Sequence, residues 1–415
     1  MKWQRTAGKN LSNPRQMNSK DRVRRLARPG IALLLFLAGV WLIPHRWCSR
    51  DSGDWYRGDP AVQKKLAAGV EQWIIKDLQR DNYSTGNRQF NGEWLFGTYL
   101  MAGLGYGQTA LEHPEWRTRH LQLMEHCIDR ILTPGVRAFD RESWRNDPID
   151  SLDEDSDHAA YLGYFNLLLS LHRLLEPKSK YSQLNDRITE ALCRRIHNSR
   201  TGLLSTYPGE TYPVDNCAVI ASIGLHDRAT GTNHRELLMA WEARLREKYI
   251  DPTSGLLFQA VDSLDGSPID APRGSGTTLG AYLLSFSHPG LSRELHMAVK
   301  RQLFRTCLGF GAVREYPVSF SRGRGDIDSG PVLFGIGISP TGFLVSTSRI
   351  FGDRSMFSDL YGTVDLFGAP LDGNNGLTFV TGGPIGNAIM FAMLTAQPED
   401  GRTDEARPLS AGEGS

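Results

Sequence analysis

The chain has 415 residues, enough for two or three domains of ordinary size, and a formal net charge of +1. That charge is distributed unevenly, because residues 1–29 carry nine Lys or Arg and one acid, which leaves 38 bases and 45 acids in the remainder. The remainder therefore lacks the basic surface that nucleic-acid binding requires, and we expect no nucleic-acid partner.

The first predicted element is a membrane segment that follows the basic arm of residues 1–29. Residues 30–44 read GIALLLFLAGVWLIP and contain no charge, although a full span needs about 20 apolar residues. A secretory signal is the competing interpretation, but no small-residue cleavage site follows. We therefore predict an uncleaved signal anchor over 30–47. The arm would be cytoplasmic by the positive-inside rule, and the rest would lie outside the cytoplasm, in the periplasm if the source is bacterial.

A cycle of polar cluster, apolar helix, turn and amphipathic helix then repeats six times. The polar clusters lie at intervals of 66, 58, 60, 53 and 54 residues, near Asn91, Asp157, Asp215, Ser275, Asp328 and Gly382. Periods of this length, each holding one helical hairpin, are typical of helical arrays that bury their core between hairpins. We predict an all-α fold, an (α/α)6 toroid over 60–396 with the clusters at one mouth, and a disordered tail over 397–415.

Two kinds of helix are expected in each hairpin. The outer helices are amphipathic, as in residues 61–79, where Val62, Leu66, Val70 and Trp73 share one face. The inner helices are apolar on nearly every side, and the segments with this pattern are 218–225, 279–286 and 333–338. Short return loops or hairpins rich in Gly and Pro would connect one pair to the next.

The third cluster is the richest in chemistry. It places Glu210, Tyr212 and Asp215 just before an inner helix, whose free N–H groups would lower the pKa of a carboxyl group there. The alternative is that Asp215 only caps the helix.

The fifth cluster presents two carboxylates, Asp326 and Asp328, two residues apart. Neighbouring carboxylates in different environments supply an acid and a base together, although calcium binding would use the same residues. Arg273 opens the fourth inner helix and would bind an anionic group or pair with a nearby Asp.

The first two clusters supply further candidates. Asp157 and His158 end an acidic run that is otherwise typical of a solvated loop, and Tyr164 lies on the helix that follows. A tyrosine hydroxyl inside a closed ring needs a polar partner. Glu93 beside Trp94 offers an acid next to an aromatic platform suited to sugars or polyols, while the alternative for Trp94 is a place in the core.

Several common enzyme signatures are absent from the sequence. There is no HExxH, no P-loop, no GxGxxG after a strand and no GxSxG elbow, and the five cysteines show no metal-ligand spacing. We therefore expect no cofactor and no metal, which leaves acid/base chemistry in a cavity or binding without chemistry.

The stretch from Leu162 to Gly290 resembles linalool dehydratase–isomerase, a cofactor-free (α/α)6 enzyme of monoterpene metabolism. The likeness is densest over Tyr212–Leu257, with the fragments 227–232 and 251–252, and continues through 275–279 and 326–330. Including weaker parts, it spans most of 60–395. The resemblance places the family's catalytic cysteines at Thr206 and Asp215 and its helix-borne histidine at Tyr164. Because these residue types differ, it implies the fold and a lyase or isomerase reaction rather than linalool as substrate.

We therefore hypothesise a membrane-anchored enzyme that performs acid/base chemistry on a hydroxylated substrate, either a small molecule or a saccharide. Asp215 and Asp328 would form the acid/base pair, and Asp326, Glu210 and Tyr164 would assist them. The residues expected to contact the substrate are Tyr212, Asp157, His158, Arg273, Trp94 and Glu93. A six-hairpin glycoside hydrolase or polysaccharide lyase is the first alternative. A non-catalytic binding or scaffold protein is the second.

Overall fold

The computed structural model describes residues 19–320, 330 and 332–399. Asp326, Asp328 and the tail beyond residue 399 lie outside the described residues. The helices are α1 (Ser19–Cys48), α2 (Ser52–Arg57), α3 (Pro60–Ile74), α4 (Arg88–Glu112), α5 (Arg117–Ile131), α6 (Ala138–Trp144), α7 (Ala159–Leu175), α8 (Ser182–Asn198), α9 (Pro213–Thr230), α10 (Arg235–Arg244), α11 (Gly274–Leu284), α12 (Pro289–Gln302), α13 (Ile338–Ile350), α14 (Arg354–Gly368) and α15 (Gly383–Leu394). The strands are β1 (Phe304–Cys307), β2 (Phe310–Arg314), β3 (Val332–Leu333), β4 (Ile336–Gly337), β5 (Pro370–Gly373) and β6 (Gly376–Phe379).

Six of these helices form a closed inner ring. In order, α4, α7, α9, α11, α13 and α15 each contact the next, and α15 packs against α4. The helices α3, α5, α8, α10, α12 and α14 alternate with them along the chain and pack outside the ring. The predicted (α/α)6 toroid is therefore confirmed. Short antiparallel strands are confined to the return segments, with β1, β2, β4 and β3 in one sheet and β5 with β6 in another.

Small residues let the inner helices approach closely, as their composition indicates. At Gly163 of α7, a Cβ atom would lie 2.7 Å from Cγ2 and 3.0 Å from the backbone nitrogen of Val219 on α9. The outer helices show the expected amphipathic pattern. Ile188 and Leu192 of α8 are completely buried, while the opposite face of that helix is polar.

The end of the ring where the inner helices finish is filled by side chains. Tyr282 of α11 donates a hydrogen bond of 3.2 Å to Gln108 of α4, across the ring, and both side chains are fully buried. Nearby, the rings of Tyr106 and Phe391 pack edge to face at 4.9 Å. Contacts among the described residues therefore fill this end, and the inner helices begin at the opposite end.

One predicted inner helix is wrong. Residues 333–338 are not a buried helix but span the β3–β4 hairpin, and α13 begins only at Ile338. Phe334 and Gly335 both have positive φ, at 53° and 81°, and turn the chain back on itself. Phe334 is fully exposed as a result. Hydrophobicity alone does not distinguish this short apolar hairpin from a buried helix turn.

The predicted anchor is a long apolar helix. One candidate membrane span was found among the described residues, within Arg28–Arg57, with a mean hydropathy of 1.6. Its last turn contacts the toroid, where His45 lies 3.6 Å from Asp359 of α14 and Cys48 is buried. A secretory signal has the same length and composition, so the anchor stays a prediction.

Candidate active site

The first turns of the inner helices lie together at one end of the ring. The start of α7 meets the start of α9 through Tyr164 and Asp215. The starts of α4 and α15 approach at Gly97 and Ile385, and those of α11 and α13 at Gly274 and Pro340. Because one outer helix returns the chain after each inner helix, the inner helices run in the same direction. Their polar N-terminal clusters therefore share this end, which we call the mouth.

Asp215 lies at the mouth in the first turn of α9 and is partly exposed. Its Oδ1 accepts a hydrogen bond of 2.8 Å from the Tyr164 hydroxyl, and its Oδ2 accepts one of 2.7 Å from the Thr206 hydroxyl. The N-cap position belongs to Tyr212, and no side chain caps this helix. The capping interpretation of Asp215 is therefore wrong, since its carboxyl group bonds to two hydroxyl groups instead.

The pKa of Asp215 is raised above its ordinary value of 3.8. Burial is the main cause, because it disfavours the charged form, and the hydrogen bonds from Thr206 and Tyr164 oppose it without cancelling it. The sequence-based expectation of a lowered pKa is thus wrong in direction. Burial at the mouth outweighs the favourable end of the helix. A carboxyl group of this kind keeps its proton to higher pH than an exposed one and is suited to act as a general acid.

Thr206 is oriented by the hairpin turn that precedes α9. Its hydroxyl accepts a 3.2 Å hydrogen bond from the backbone N–H of Tyr212 while donating to Asp215. The turn closes through hydrogen bonds from the Thr206 and Tyr207 N–H groups to the Glu210 carbonyl. Glu210 is exposed on this turn and accepts a 3.0 Å hydrogen bond from the Tyr212 hydroxyl. Glu210 and Tyr212 therefore lie on the solvent side of the Asp215 cluster.

Glu93 of α4 supplies a second carboxyl group to the same mouth. Its Oε1 accepts a hydrogen bond of 2.5 Å from the hydroxyl of Tyr207, the residue next to Thr206. Burial, followed by the charge of Glu93, raises the pKa of Tyr207 well above 10, so its hydroxyl stays a donor. Trp94 is half-buried and packs edge to face on Tyr83, with ring centroids 6.5 Å apart.

His158 was predicted to contact the substrate, but the structure places it elsewhere. Its ring is fully buried, with Nδ1 2.5 Å from Oδ2 of Asp140 and Nε2 3.2 Å from the Ser151 hydroxyl. The ring of Trp144 packs 4.9 Å away. His158 also has a left-handed φ of 52°, which these contacts hold in place. No part of the ring is accessible to a ligand in this conformation, so the contacts of His158 are those of a structural residue.

Asp157 is half-buried and ties two segments together. One carboxylate oxygen accepts a 2.8 Å hydrogen bond from the Ser205 N–H, and the Asp157 carbonyl accepts one from Arg195. Burial is the main influence on this carboxyl group and raises its pKa. Asp157 thus joins the second cluster to the segment that carries Thr206.

Arg273 forms a buried ion pair rather than facing open solvent. Its Nε lies 2.9 Å from Oε1 of Glu315, and both side chains are at least 98% buried. The hydroxyl of Ser275 donates to the same oxygen at 2.6 Å. Burial raises the pKa of Glu315, and the hydrogen bond from Ser275 and the charge of Arg273 oppose this. This ion pair joins the start of α11 to the segment after β2. Removing either partner would leave the other charge buried without compensation and would destabilise the protein.

Local sequence patterns did not identify several residues that the structure shows to be important. Thr206 was identified only through the family resemblance, and Tyr207, Asp140 and Glu315 were not identified. Tyr207 and Thr206 belong to the same hairpin turn as Glu210, so proximity to a predicted cluster was the available signal. Asp140 and Glu315 are 18 and 42 residues from their partners, and no local pattern marks such pairs.

One group of potential metal ligands occurs among the described residues, away from the mouth. The ligand atoms of His226, Asp227 and His234 lie within 4.8 Å of one another at the end of α9. They already hydrogen-bond locally, since Asp227 accepts from His234 at 2.7 Å and from Thr232 at 2.8 Å. These bonds connect α9 to α10 across the turn at Gly231.

Comparisons with known proteins give only distant likenesses. No protein-family description matches the sequence. One similar solved structure is a GH76 α-mannanase of Bacteroides thetaiotaomicron, at 11% identity and a TM-score of 0.48, covering 83% of this chain and 97% of that one. Another is a family 105 glycoside hydrolase of C. acetobutylicum, at 11% identity and a TM-score of 0.45, covering 72% of this chain and 92% of that one. Neither likeness identifies the activity of this chain.

Proposed function

We propose that this chain is an enzyme that performs cofactor-free acid/base chemistry on a hydroxylated substrate bound at the mouth, with Asp215 as the proton donor. The observation that carries the proposal is the cluster of Tyr164, Asp215 and Thr206, in which two hydroxyl groups orient one carboxyl group. Burial raises the pKa of that group, and the Asp215 residue as a whole is partly exposed. Carboxyl groups whose pKa is raised by their surroundings are typical of general acids.

Glycoside hydrolysis is the reaction we favour. Asp215 and Glu93 accept hydrogen bonds from the adjacent residues Thr206 and Tyr207, and two carboxyl groups with different partners can divide the acid and base roles. In this scheme the protonated Asp215 donates to the leaving glycosidic oxygen as its bond to the sugar breaks. Glu93 takes a proton from the water that adds to the sugar carbon, and exchange with solvent then restores both carboxyl groups. The half-buried Trp94 offers an apolar face for a sugar ring.

Dehydration or isomerisation of an alcohol is the second candidate. It is favoured because the three positions implied by the resemblance to linalool dehydratase–isomerase meet in one cluster, where Tyr164 and Thr206 both donate to Asp215. Here Asp215 would protonate a hydroxyl group that leaves as water, and a carboxylate at the mouth would remove a proton from the adjacent carbon.

The test compares the purified chain with Asp215→Asn on two substrate panels. The first panel contains neutral and acidic oligosaccharides, with new reducing ends measured. The second contains terpene and other tertiary alcohols, with alkenes measured by gas chromatography. We expect turnover on one panel and a loss of at least about 100-fold in Asp215→Asn, as for removal of a general acid. Asp227→Asn, at the far end of α9, serves as the control.

Equal activity of the wild type and Asp215→Asn would refute the assignment. Absence of turnover on both panels, together with ligand binding that Asp215→Asn leaves intact, would instead favour the binding or scaffold protein.

We also propose that the toroid is attached to a membrane by residues 30–47, outside the cytoplasm. The apolar, exposed part of α1 supports this, since Leu34 and Leu35 are 67% and 69% exposed. The full chain should sediment with membranes and resist extraction by alkaline carbonate, and a chain that begins at residue 51 should not. Recovery of an N-terminally shortened protein from cells would support a cleaved signal instead.

A further inference from the structure

The apolar run of helix α1 joins the toroid without a flexible linker. The charge-free run of residues 30–44 ends one residue before His45, and α1 continues as a single helix to Cys48. Both residues belong to the junction with the toroid, since His45 lies 3.6 Å from Asp359 and Cys48 is buried. Each helical residue advances the chain by about 1.5 Å, so the apolar run ends within about 2 Å, along the helix axis, of a residue that contacts the toroid.

The imidazole ring of His45 sits in a socket formed by two elements of the toroid. The ring packs edge to face on Phe310 of β2, with ring centroids 5.4 Å apart, and its Nε2 faces Asp359 of α14. A Cβ atom at Gly309 would lie 2.7 Å from the ring, and a Cβ atom at Gly362 would lie 3.2 Å from it. A larger residue at either position would displace His45. The end of α1 is therefore fixed on the toroid rather than loosely tethered to it.

The turn between β1 and β2, beside this socket, exposes an apolar side chain. Leu308 is 47% exposed and has a left-handed φ of 54°, and Gly309 follows it with a φ of 86°. A left-handed conformation is costly for leucine and is often retained where function requires it. On the last turn of α1, Trp47 is 67% exposed, and Arg46 next to it is exposed as well. An exposed leucine, tryptophan and arginine thus lie close to the end of the apolar run.

Side chains of these types are suited to the headgroup layer of a lipid bilayer. Tryptophan is enriched at the interface between membrane and water, and arginine is attracted to anionic headgroups there. The headgroup layer is about 5 to 8 Å thick on each side, since a bilayer of about 40–45 Å has a hydrocarbon core of about 30 Å. If residues 30–44 cross the membrane, the residues held against His45 lie in this layer.

We propose that the turn of Cys307, Leu308 and Gly309, together with Trp47, is a lipid-contacting surface that the end of α1 holds against the membrane. This inference rests on the proposed membrane attachment and adds to it the surface that faces the lipid. The flank of the toroid at α14 would lie beside the membrane. The flank at α8 would point away from it, because the outer helices follow one another around the ring as α3, α5, α8, α10, α12 and α14.

The test measures how close each flank lies to the lipid. Cys307 is exposed and offers a labelling site within the turn itself, while Cys193→Ser removes the one other cysteine that is partly exposed. The full chain with Cys193→Ser is labelled with an NBD fluorophore and reconstituted in vesicles of phosphatidylcholine and phosphatidylglycerol. Lipids that carry a spin label near the headgroup then quench a fluorophore that touches the membrane. The matched control places the fluorophore on α8 by Glu190→Cys, at an exposed position, in a chain that also carries Cys193→Ser and Cys307→Ser.

A second variant tests the junction between α1 and the toroid. Ten Gly and Ser residues inserted between Pro44 and His45 would form a flexible coil with an end-to-end distance of about 16–19 Å. The insertion leaves the His45 socket and the apolar run intact, but it allows the toroid to move away from the membrane. Extraction with alkaline carbonate, applied to each sample, reports separately on whether the chain is anchored.

We expect the fluorophore on Cys307 to be quenched severalfold more strongly than the one on α8, and the insertion to reduce its quenching to the level of the control. Equal quenching on both flanks of a carbonate-resistant chain would overturn the lipid-contacting surface and leave the anchor in place. Quenching that the insertion does not change would overturn the role of the junction. Release of the chain by carbonate would refute the membrane attachment and this inference with it.

Discussion

The hydroxyl group of Tyr164 on α7 donates a 2.8 Å hydrogen bond to the carboxyl group of Asp215 on α9, linking neighbouring inner helices at the mouth. This bond stabilises the charged form of Asp215 and opposes the effect of burial, which raises its pKa. The balance between these two effects sets the pH at which Asp215 can donate a proton.

Tyr164→Phe should therefore raise the pKa of Asp215 further, because it removes one of the two donors to the carboxylate. The alkaline limb of the pH–rate profile should move to higher pH, and the carboxyl-carbon NMR signal of Asp215 should titrate later. Tyr181→Phe is the control, since its hydroxyl bonds to Asp129 on the outer surface. A pH profile that is identical in Tyr164→Phe and the wild type would show that Asp215 does not control the rate.

The stability of the protein should also depend on Asp215 with a defined sign. Because the folded state holds this proton more tightly than the unfolded state does, its contribution to stability is fully present below pH 3.8 and is lost as pH rises to the raised pKa. Urea titrations of the wild type should therefore lose stability relative to Asp215→Asn across this window. A difference that is constant with pH would mean that the pKa is not shifted.

Asp140→Ala should cost about 3–5 kcal/mol of stability, since it leaves His158 buried without its partner. The two side chains are completely buried and contact each other at 2.5 Å. Asp153→Ala is the matched control, because that carboxylate is 89% exposed and its pairing with Arg187 should contribute no more than about 1 kcal/mol. Chemical denaturation with circular dichroism measures both. Similar losses in the two variants would contradict the structural role of the buried pair.

Gly163→Ala should destabilise the ring by about 1–3 kcal/mol, because the added methyl group meets Val219 on the neighbouring helix. Gly386→Ala provides the comparison within another inner helix. A Cβ atom there meets nothing within 4 Å, so the substitution should be neutral or stabilise by about 0.5–1 kcal/mol through helix propensity. If Gly163→Ala behaved like Gly386→Ala, close packing would not explain the glycine on α7.

The ring architecture was predictable because it rests on repetition, which a single sequence displays directly. The place of Asp215 at the start of an inner helix was predictable for the same reason, since its polar cluster recurs at the same point of the cycle as the others. The sign of its pKa shift was not, because that depends on how much protein surrounds the carboxyl group rather than on its place at the helix end. The hairpin at Phe334 escaped prediction because the left-handed turn there is formed by a bulky residue followed by glycine.

The sequence also did not reveal interaction partners that lie far apart along the chain. Arg273 was assigned an anionic ligand or a nearby Asp; it does lie 4.0 Å from the nearby Asp270, but its shorter contact, at 2.9 Å, is with Glu315, 42 residues away. His158 was assigned to the substrate from its position next to a helix, but it bonds to Asp140 on a helix between two cycles. In both cases the residue type indicated a charged interaction correctly, while the identity of the partner depends on tertiary packing.

The hydrogen bond between Tyr282 and Gln108 across the ring has a consequence for how material moves through the protein. With that end filled, whatever enters between the starts of the inner helices must leave by the same way. A long polymer could not thread through the ring, so any substrate must approach Asp215 from the mouth. Its products would leave on the same side, since contacts among the described residues fill the other end.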